Sequence, residues 1–198
     1  MITIQTKTSF LPEKLVMIDC EMTGLQLKSD IILQVAMLKL SLDSSNNYQI
    51  DSEFEGFMYT DRVPTSEFDK TYLKHIYQKC NNKNTSRSPE ELRYEIKNFI
   101  GKDRGTLMPV GDCVPTDIEF LLHAGLIDRN YYRNDRPIVG TLHYEFFEMN
   151  SLKLVARHRL GYKFDANLSD IQEGKHDALV DCKNQLIELN AILNAILN

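Results

Sequence analysis

The chain has 198 residues, 42% of them hydrophobic, and a formal net charge of −5, enough apolar material for one sizeable core and incompatible with a disordered polymer. With 28 acidic against 23 basic residues it lacks the cationic excess that gripping a long duplex requires, so any nucleic-acid footprint is expected to be small. No apolar run is long enough to span a bilayer, Met1 to Phe10 has no signal-peptide pattern, and Cys20, Cys80, Cys113 and Cys182 show no C-x-x-C pairing or zinc-site spacing; one domain over 1–198 in a reducing, cytoplasmic setting is expected.

Lys14 to Cys20 is almost continuously apolar, as a central strand covered on both faces requires. Gly24 interrupts it, and Ile31 to Leu42, rich in Ile, Leu and Val, reads as a second strand. Asp43-Ser-Ser-Asn-Asn47 is a polar turn, so Tyr48 to Met58 completes a meander. After Pro64, the residues Phe68, Tyr72, His75 and Ile76 recur at helical spacing, and Ser88-Pro89-Glu90-Glu91 is a capped start for a helix to about Ile100. Gly101 to Gly105 reads as a loop, Thr106 to Gly111 as a short buried strand and Pro115 to Leu122 as a helix. Arg136 to Val139 is expected to be the last strand, followed by helices over Thr141 to Phe147, Ser151 to Leu160 and from about Asp177 to the end. This order predicts an α/β fold with a mixed central sheet of about five strands flanked by helices.

Four carboxylates stand out against this frame. Asp19 and Glu21 are two apart at a strand end, so both project to one side while Cys20 points to the other, a spacing that can clamp a divalent metal. Asp117 falls in the first turn of the helix opened by Pro115, where the helix dipole favours an anion. Asp181 lies in the apolar context Ala178-Leu-Val-Asp-Cys182, near the core, where a carboxylate needs a partner or a metal. His176 is five residues before Asp181; five helical steps would put the two on different faces, so the histidine belongs off the helix with Asp177 as its N-cap.

Three segments carry these residues in order: Leu15-Val-Met-Ile-Asp-Cys-Glu-Met-Thr-Gly-Leu25 followed by Ile31-Ile-Leu-Gln-Val-Ala36; Val110-Gly-Asp-Cys-Val-Pro-Thr-Asp-Ile-Glu-Phe-Leu121; and His176-Asp-Ala-Leu-Val-Asp181, preceded by Ser151-Leu-Lys-Leu-Val-Ala-Arg157. Together they resemble the DEDDh-type 3′-to-5′ exonucleases, and within them the oligoribonuclease group. The resemblance implies a ribonuclease H-like exonuclease fold, with Asp19, Glu21, Asp117 and Asp181 as metal ligands and His176 as general base. Asp112 stands where many relatives have asparagine and is expected to add negative charge near the pocket; Gly140 stands where relatives often have aspartate. The segment from Asp61 to Thr85 matches poorly.

Four carboxylates suit hard, oxygen-seeking ions, so two Mg2+ or Mn2+ ions are the expected cofactors, with Asp19 between them. His176 would take a proton from water near neutral pH. Met22 and Thr23 are expected to offer backbone groups to the terminal sugar. Leu25 either wedges against the last base, as the resemblance implies, or packs as an ordinary turn leucine. Tyr72 or Phe68 could stand in for the aromatic that closes on the terminal nucleotide, although Phe68 is read as a core residue. Arg157, His158, Arg159 and Lys163 form a modest basic cluster for an upstream phosphate, or a solvated helix face. The partners implied are 3′ ends of short single-stranded RNA or DNA, with no membrane. The apolar spacing of Leu186 to Asn198 serves packing within the chain or onto a second copy, a homodimer being usual for the group resembled.

Overall fold

A computed structural model describes residues 11–101, 106–128, 142–143, 145–161 and 176–197. Three long strands come first: β1 (Lys14–Met22), β2 (Ile32–Leu42) and β3 (Tyr48–Met58). They form the expected antiparallel meander, Asp19 facing Ala36 and Glu21 facing Gln34 across the β1–β2 pair. A π-helical turn, Asp69–Leu73, runs into α1 (Lys74–Cys80), which is followed by β4 (Ser86–Arg87) and α2 (Pro89–Ile100). Then come β5 (Met108–Gly111), α3 (Val114–His123), β6 (Phe147–Glu148), α4 (Met149–Leu160) and α5 (Ala178–Leu197). The sheet has six strands in the order β4-β3-β2-β1-β5-β6, with β5 parallel to β1 and to β6.

The sheet is mixed, as expected, and β1 is central because its apolar residues alternate into two cores. Val16, Ile18 and Cys20 join Leu92, Ile96 and Ile100 of α2 and Val114, Phe120 and Leu121 of α3. Leu15 and Met17 enter the opposite core with Met149 of α4 and Ala178, Cys182, Leu186 and Leu189 of α5. Fully burying each such aliphatic side chain contributes about 1.5–3 kcal/mol, and this is what holds helices on both faces of β1. A smaller cluster seats Leu73, Ile76 and Tyr77 against Leu33 and Phe57.

Two expectations are corrected. The sheet gains two-residue strands, β4 and β6, too short to leave an alternation pattern in sequence. Phe147 belongs to β6, paired with Val110, and residues 142–143 and 145–146 carry no helix, so the helix expected over Thr141 to Phe147 does not form among the described residues; the tertiary pairing with β5 outweighs local propensity. The strand expected over Arg136 to Val139 lies outside the described residues. The apolar stripe of α5 is used inside the chain, with Leu186, Leu189 and Leu193 in the core against β1 and β2. No helix among the described residues is long and apolar enough to cross a membrane.

The predicted start of α2 is a full capping box: the Glu91 amide donates to Ser88 Oγ at 3.3 Å, and the Ser88 amide donates to Glu91 Oε2 at 2.9 Å. Ser88→Ala should cost about 1 kcal/mol in urea denaturation, with the m-value unchanged because the unfolded surface is the same.

Candidate active site

Side-chain alternation puts Asp19 and Glu21 on the face of β1 that carries Leu15 and Met17, beneath α5. Asp181 occupies the first turn of α5, and carboxylate oxygens of Asp19, Glu21 and Asp181 lie within 4.8 Å of one another. Asp117 comes from α3, which packs on the other face of the sheet. The pairing of β5 with β1 covers Leu15 to Met17, and beyond it the Cys20 amide donates to the buried Asp117 carboxylate. The fold therefore brings three of the four predicted carboxylates into one cluster and sets the fourth beside them.

Burial is the largest cause of the electrostatic strain here. With Asp181, and with Asp112 and Asp177 adding to it, burial pushes the Asp19 carboxyl up to about 7, against the hydrogen bond from Gln185. Burial, Asp19, Asp181 and Asp177 push Glu21 up to about 8. Burial and then Asp19 hold Asp117 well above the usual carboxylate range. Crowded anions that resist ionising, in a set whose side-chain donors are all oxygen, fit hard divalent cations; among the described residues no thiolate or imidazole donor that would favour zinc joins the cluster.

His176 lies off the helix as expected. It adopts a left-handed backbone conformation (φ 68°) that aims its amide at Asp181 Oδ2, 3.0 Å away. Asp177 is the N-cap, accepting from the amides of Leu179 at 3.2 Å and Val180 at 3.4 Å. The His176 ring rests against two aromatics: its centroid is 4.8 Å from Phe68, edge-on, and 5.0 Å from Tyr72. Phe68 is 46% exposed and Tyr72 47% exposed, so the core reading of Phe68 is corrected. The physical reason is the π-helical turn, which replaces the α-helical spacing assumed for this segment and leaves Phe68 at its edge.

The turn after Glu21 is rigid. Thr23 Oγ1 donates to Asp30 Oδ1 at 3.2 Å and accepts from the Ile31 amide at 3.1 Å, while the Gln26 amide donates to Asp30 Oδ2 at 2.7 Å. A Cβ on Gly24 would sit 2.5 Å from Asp30 Oδ2, so a larger residue there would displace the Asp30 carboxylate from its hydrogen bonds in this turn. Leu25 is thereby held in solvent, 76% exposed, which excludes its core reading. The Thr23 amide is already bonded to the Ile31 carbonyl at 3.0 Å, so that group is not on offer to a sugar; the Met22 side chain packs against the core.

Asp112 contributes negative charge near Asp19, as expected, and is among the groups that raise its carboxyl; Lys153 Nζ lies 2.6 Å from the Asp112 carboxylate and is shared with Glu188, also at 2.6 Å. Arg157 and His158 are exposed on α4, whereas the Arg159 side chain, Lys163 and Gly140 lie outside the described residues. Two buried glutamines escaped the sequence reading. Gln34 on β2 accepts from the Ala178 amide at 3.0 Å and donates to Asp177 Oδ1 at 3.2 Å, docking the start of α5 onto the sheet. Gln185 Nε2 donates to Asp19 Oδ1 at 3.0 Å. The available signals were a polar residue inside the apolar β2 run and a glutamine one helical turn after Asp181.

The sequence pattern of the exonuclease (RNase_T) family matches residues 16–189, a span that contains all five candidate catalytic residues. The chain belongs to this exonuclease family. The exonuclease is 27% identical over 191 residues to the probable oligoribonuclease of Schizosaccharomyces pombe, covering 92% of this chain and 68% of that protein. It is 25% identical over 193 residues to the oligoribonuclease of Streptomyces griseus, covering 93% and 87%. Its fold is shared with E. coli Exonuclease I in complex with a 5cy-dT13 oligonucleotide (TM-score 0.62, 12% identity, 93% of this chain and 41% of that one). The Exonuclease I of Methylocaldum szegediense matches likewise (TM-score 0.62, 15% identity, 91% and 40%), so this exonuclease spans about two fifths of the length of those structures. It is a DEDDh-type 3′-to-5′ exonuclease, a hydrolase similar to oligoribonucleases, with an α/β, ribonuclease H-like fold.

A pH dependence follows from the raised carboxyls. In the unfolded chain they ionise near pH 4, whereas in the metal-free fold Asp19 does so at about 7 and Glu21 at about 8. Between those limits the folded state binds more protons, so metal-free stability should fall as pH rises from about 4 to about 8. Thermal melts in EDTA should show a declining Tm over that range, and Mn2+ should raise Tm at pH 8 far more than at pH 5. A metal response equal at both pH values would contradict the electrostatic account.

Proposed function

We propose that this exonuclease degrades short single-stranded RNA from its 3′ end, releasing nucleoside 5′-monophosphates. The observation that carries this reading is the convergence of Asp19, Glu21 and Asp181, with oxygens within 4.8 Å, beside the exposed Leu25 turn and the Phe68–Tyr72–His176 ring group. The oligoribonuclease relatives support RNA oligomers as the substrate. The net charge of −5 supports a short one, because few phosphates can be neutralised outside the site.

In this proposal Asp19, Glu21, Asp117 and Asp181 hold two Mg2+ or Mn2+ ions. When bound, such ions cancel phosphate charge and make water a stronger nucleophile. His176 accepts the water's proton through its imidazole, a role supported by the hydrogen bond of its backbone amide to Asp181. The Phe68 and Tyr72 rings pack against that imidazole, and in this proposal Tyr72 closes on the terminal nucleotide. Leu25 wedges against the terminal base from a turn braced by Asp30. A homodimer belongs to the same proposal, on the resemblance to the oligoribonuclease group.

The second reading, trimming of single-stranded DNA, is favoured by the fold shared with Exonuclease I bound to a deoxyoligonucleotide. A product time course with 5′-labelled RNA and DNA from two to about twenty nucleotides, with and without Mg2+, separates the two. Oligoribonuclease activity predicts fastest turnover on the shortest RNAs; equal or faster removal from long DNA would favour the second reading.

Asp19→Ala and Asp181→Ala should abolish hydrolysis while the chain stays folded by circular dichroism, and normal turnover by either variant would remove the metal assignment. His176→Ala should lower kcat by about 100- to 10,000-fold yet still bind Mn2+ in calorimetry; loss of metal affinity would refute the base role. Leu25→Ala should raise KM for dinucleotides with the fold intact, because the residue supports no core.

A further inference from the structure

The Asp19 carboxylate is held by a partner that the exonuclease motif does not contain. Gln185 lies one turn beyond Asp181 on α5, is buried, and donates from Nε2 to Asp19 Oδ1 at 3.0 Å. Its other atom, Oε1, accepts from the Asp112 backbone amide at 3.1 Å. A backbone amide can only donate, so the Gln185 oxygen must face Asp112 and the amino group must face Asp19. The orientation of the side-chain amide is thus fixed by chemistry, without choosing between two similar atoms.

The surroundings keep this bridge in place. Gly111, the residue before Asp112, lies so close to β1 that a Cβ would be 2.6 Å from the Ile18 carbonyl oxygen and 3.3 Å from Gln185 Oε1. Glycine there lets the amide at Asp112 reach the glutamine. Asp112 is tied to α5 a second time through its side chain, by Lys153, which also bonds Glu188. The backbone at Asp112 is therefore held to α5 through Gln185 and, by way of Lys153, through Glu188, three residues apart on one helix.

We propose that Gln185 is a positioning residue for metal binding: by engaging Asp19 Oδ1 it fixes the rotation of that carboxylate, so that its free acceptor sites are presented to the space shared with Glu21 and Asp181. Gln185 does not ligate the metal, because its oxygen is turned to Asp112 and its amino group has no lone pair to give. Partners of this kind, which orient a ligand from behind, are typically worth about 10- to 100-fold in metal affinity.

The proposal rests on the metal-holding role of Asp19, and its test keeps the two apart. Mn2+ binding to the full chain is measured at pH 8 by titration calorimetry and by electron paramagnetic resonance of free Mn2+, for the wild type, Gln185→Met and Gln185→Asn. Methionine keeps the length but offers no donor; asparagine stays polar, which admits water and preserves folding, but is one methylene too short to span Asp112 and Asp19. Both variants should bind Mn2+ about tenfold or more weakly, and kcat at saturating Mn2+ should fall much less than the Mn2+ affinity does. Should either folded variant bind Mn2+ within twofold of the wild type, or should kcat stay depressed at saturation while affinity is unchanged, Gln185 is only a packing residue and the proposal is overturned. Failure of the wild type itself to bind Mn2+ would instead refute the metal assignment of the carboxylates.

Discussion

The mutual repulsion of buried carboxylates is the constraint around which this exonuclease is organised. Burial first, and then neighbouring carboxylates, raise Asp19, Glu21 and Asp117 above the usual carboxylate range: Asp181 acts on Asp19, Asp19 and Asp181 on Glu21, and Asp19 and Glu21 on Asp117, while Asp181 completes the cluster with Asp19 and Glu21. Uncompensated buried charge is destabilising, so the scaffold must be rigid enough to hold such groups together. Rigidity comes from the two cores on either side of β1, where strand alternation sends Ile18 and Cys20 one way and Met17 the other. A cation placed among these oxygens would convert the repulsion into attraction, which links metal binding directly to stability.

Connections at the start of α5 matter as much as the apolar packing. The helix delivers Asp181, and its first turn is joined to the sheet by Gln34, which bonds both the Ala178 amide and Asp177. Because Gln34 faces Glu21 across the β1–β2 pair, one element of the sheet registers two carboxylates that are far apart in sequence. The His176 amide then bonds Asp181 itself. His176, Asp177 and Asp181 thus share one short segment, held by hydrogen bonds at the His176 and Ala178 amides.

The features proposed to face substrate sit on two different kinds of support. The Leu25 turn is clamped by Asp30 and by the absence of a side chain at Gly24, so it offers a fixed apolar tip. Opposite in character is the Phe68–Tyr72 pair, half exposed at a π-helical turn and leaning on His176. Stacking surfaces of this sort accept any base, since every base has a π-face. Together with a negative net charge, they favour recognition of a chain end over grip on a long polyanion.

Sequence alone determined the elements whose signals are local. The meander of β1, β2 and β3, the capping box at Ser88, the placement of His176 before its helix and the common side of Asp19 and Glu21 all follow from periodicity and capping. The four carboxylates could be named because each breaks an apolar run or opens a helix. Only the tertiary structure decided which of them converge, since the distance between Asp19 and Asp181 depends on how α5 lies on the sheet. It also decided the short strands β4 and β6, the exposure of Phe68, the ion pair of Asp112 with Lys153 and the bridge made by Gln185. Apart from the exposure of Phe68, which the π-helical turn sets, those features are pairings between residues distant in the chain, and a hydrogen bond between distant partners leaves no periodic trace in either segment.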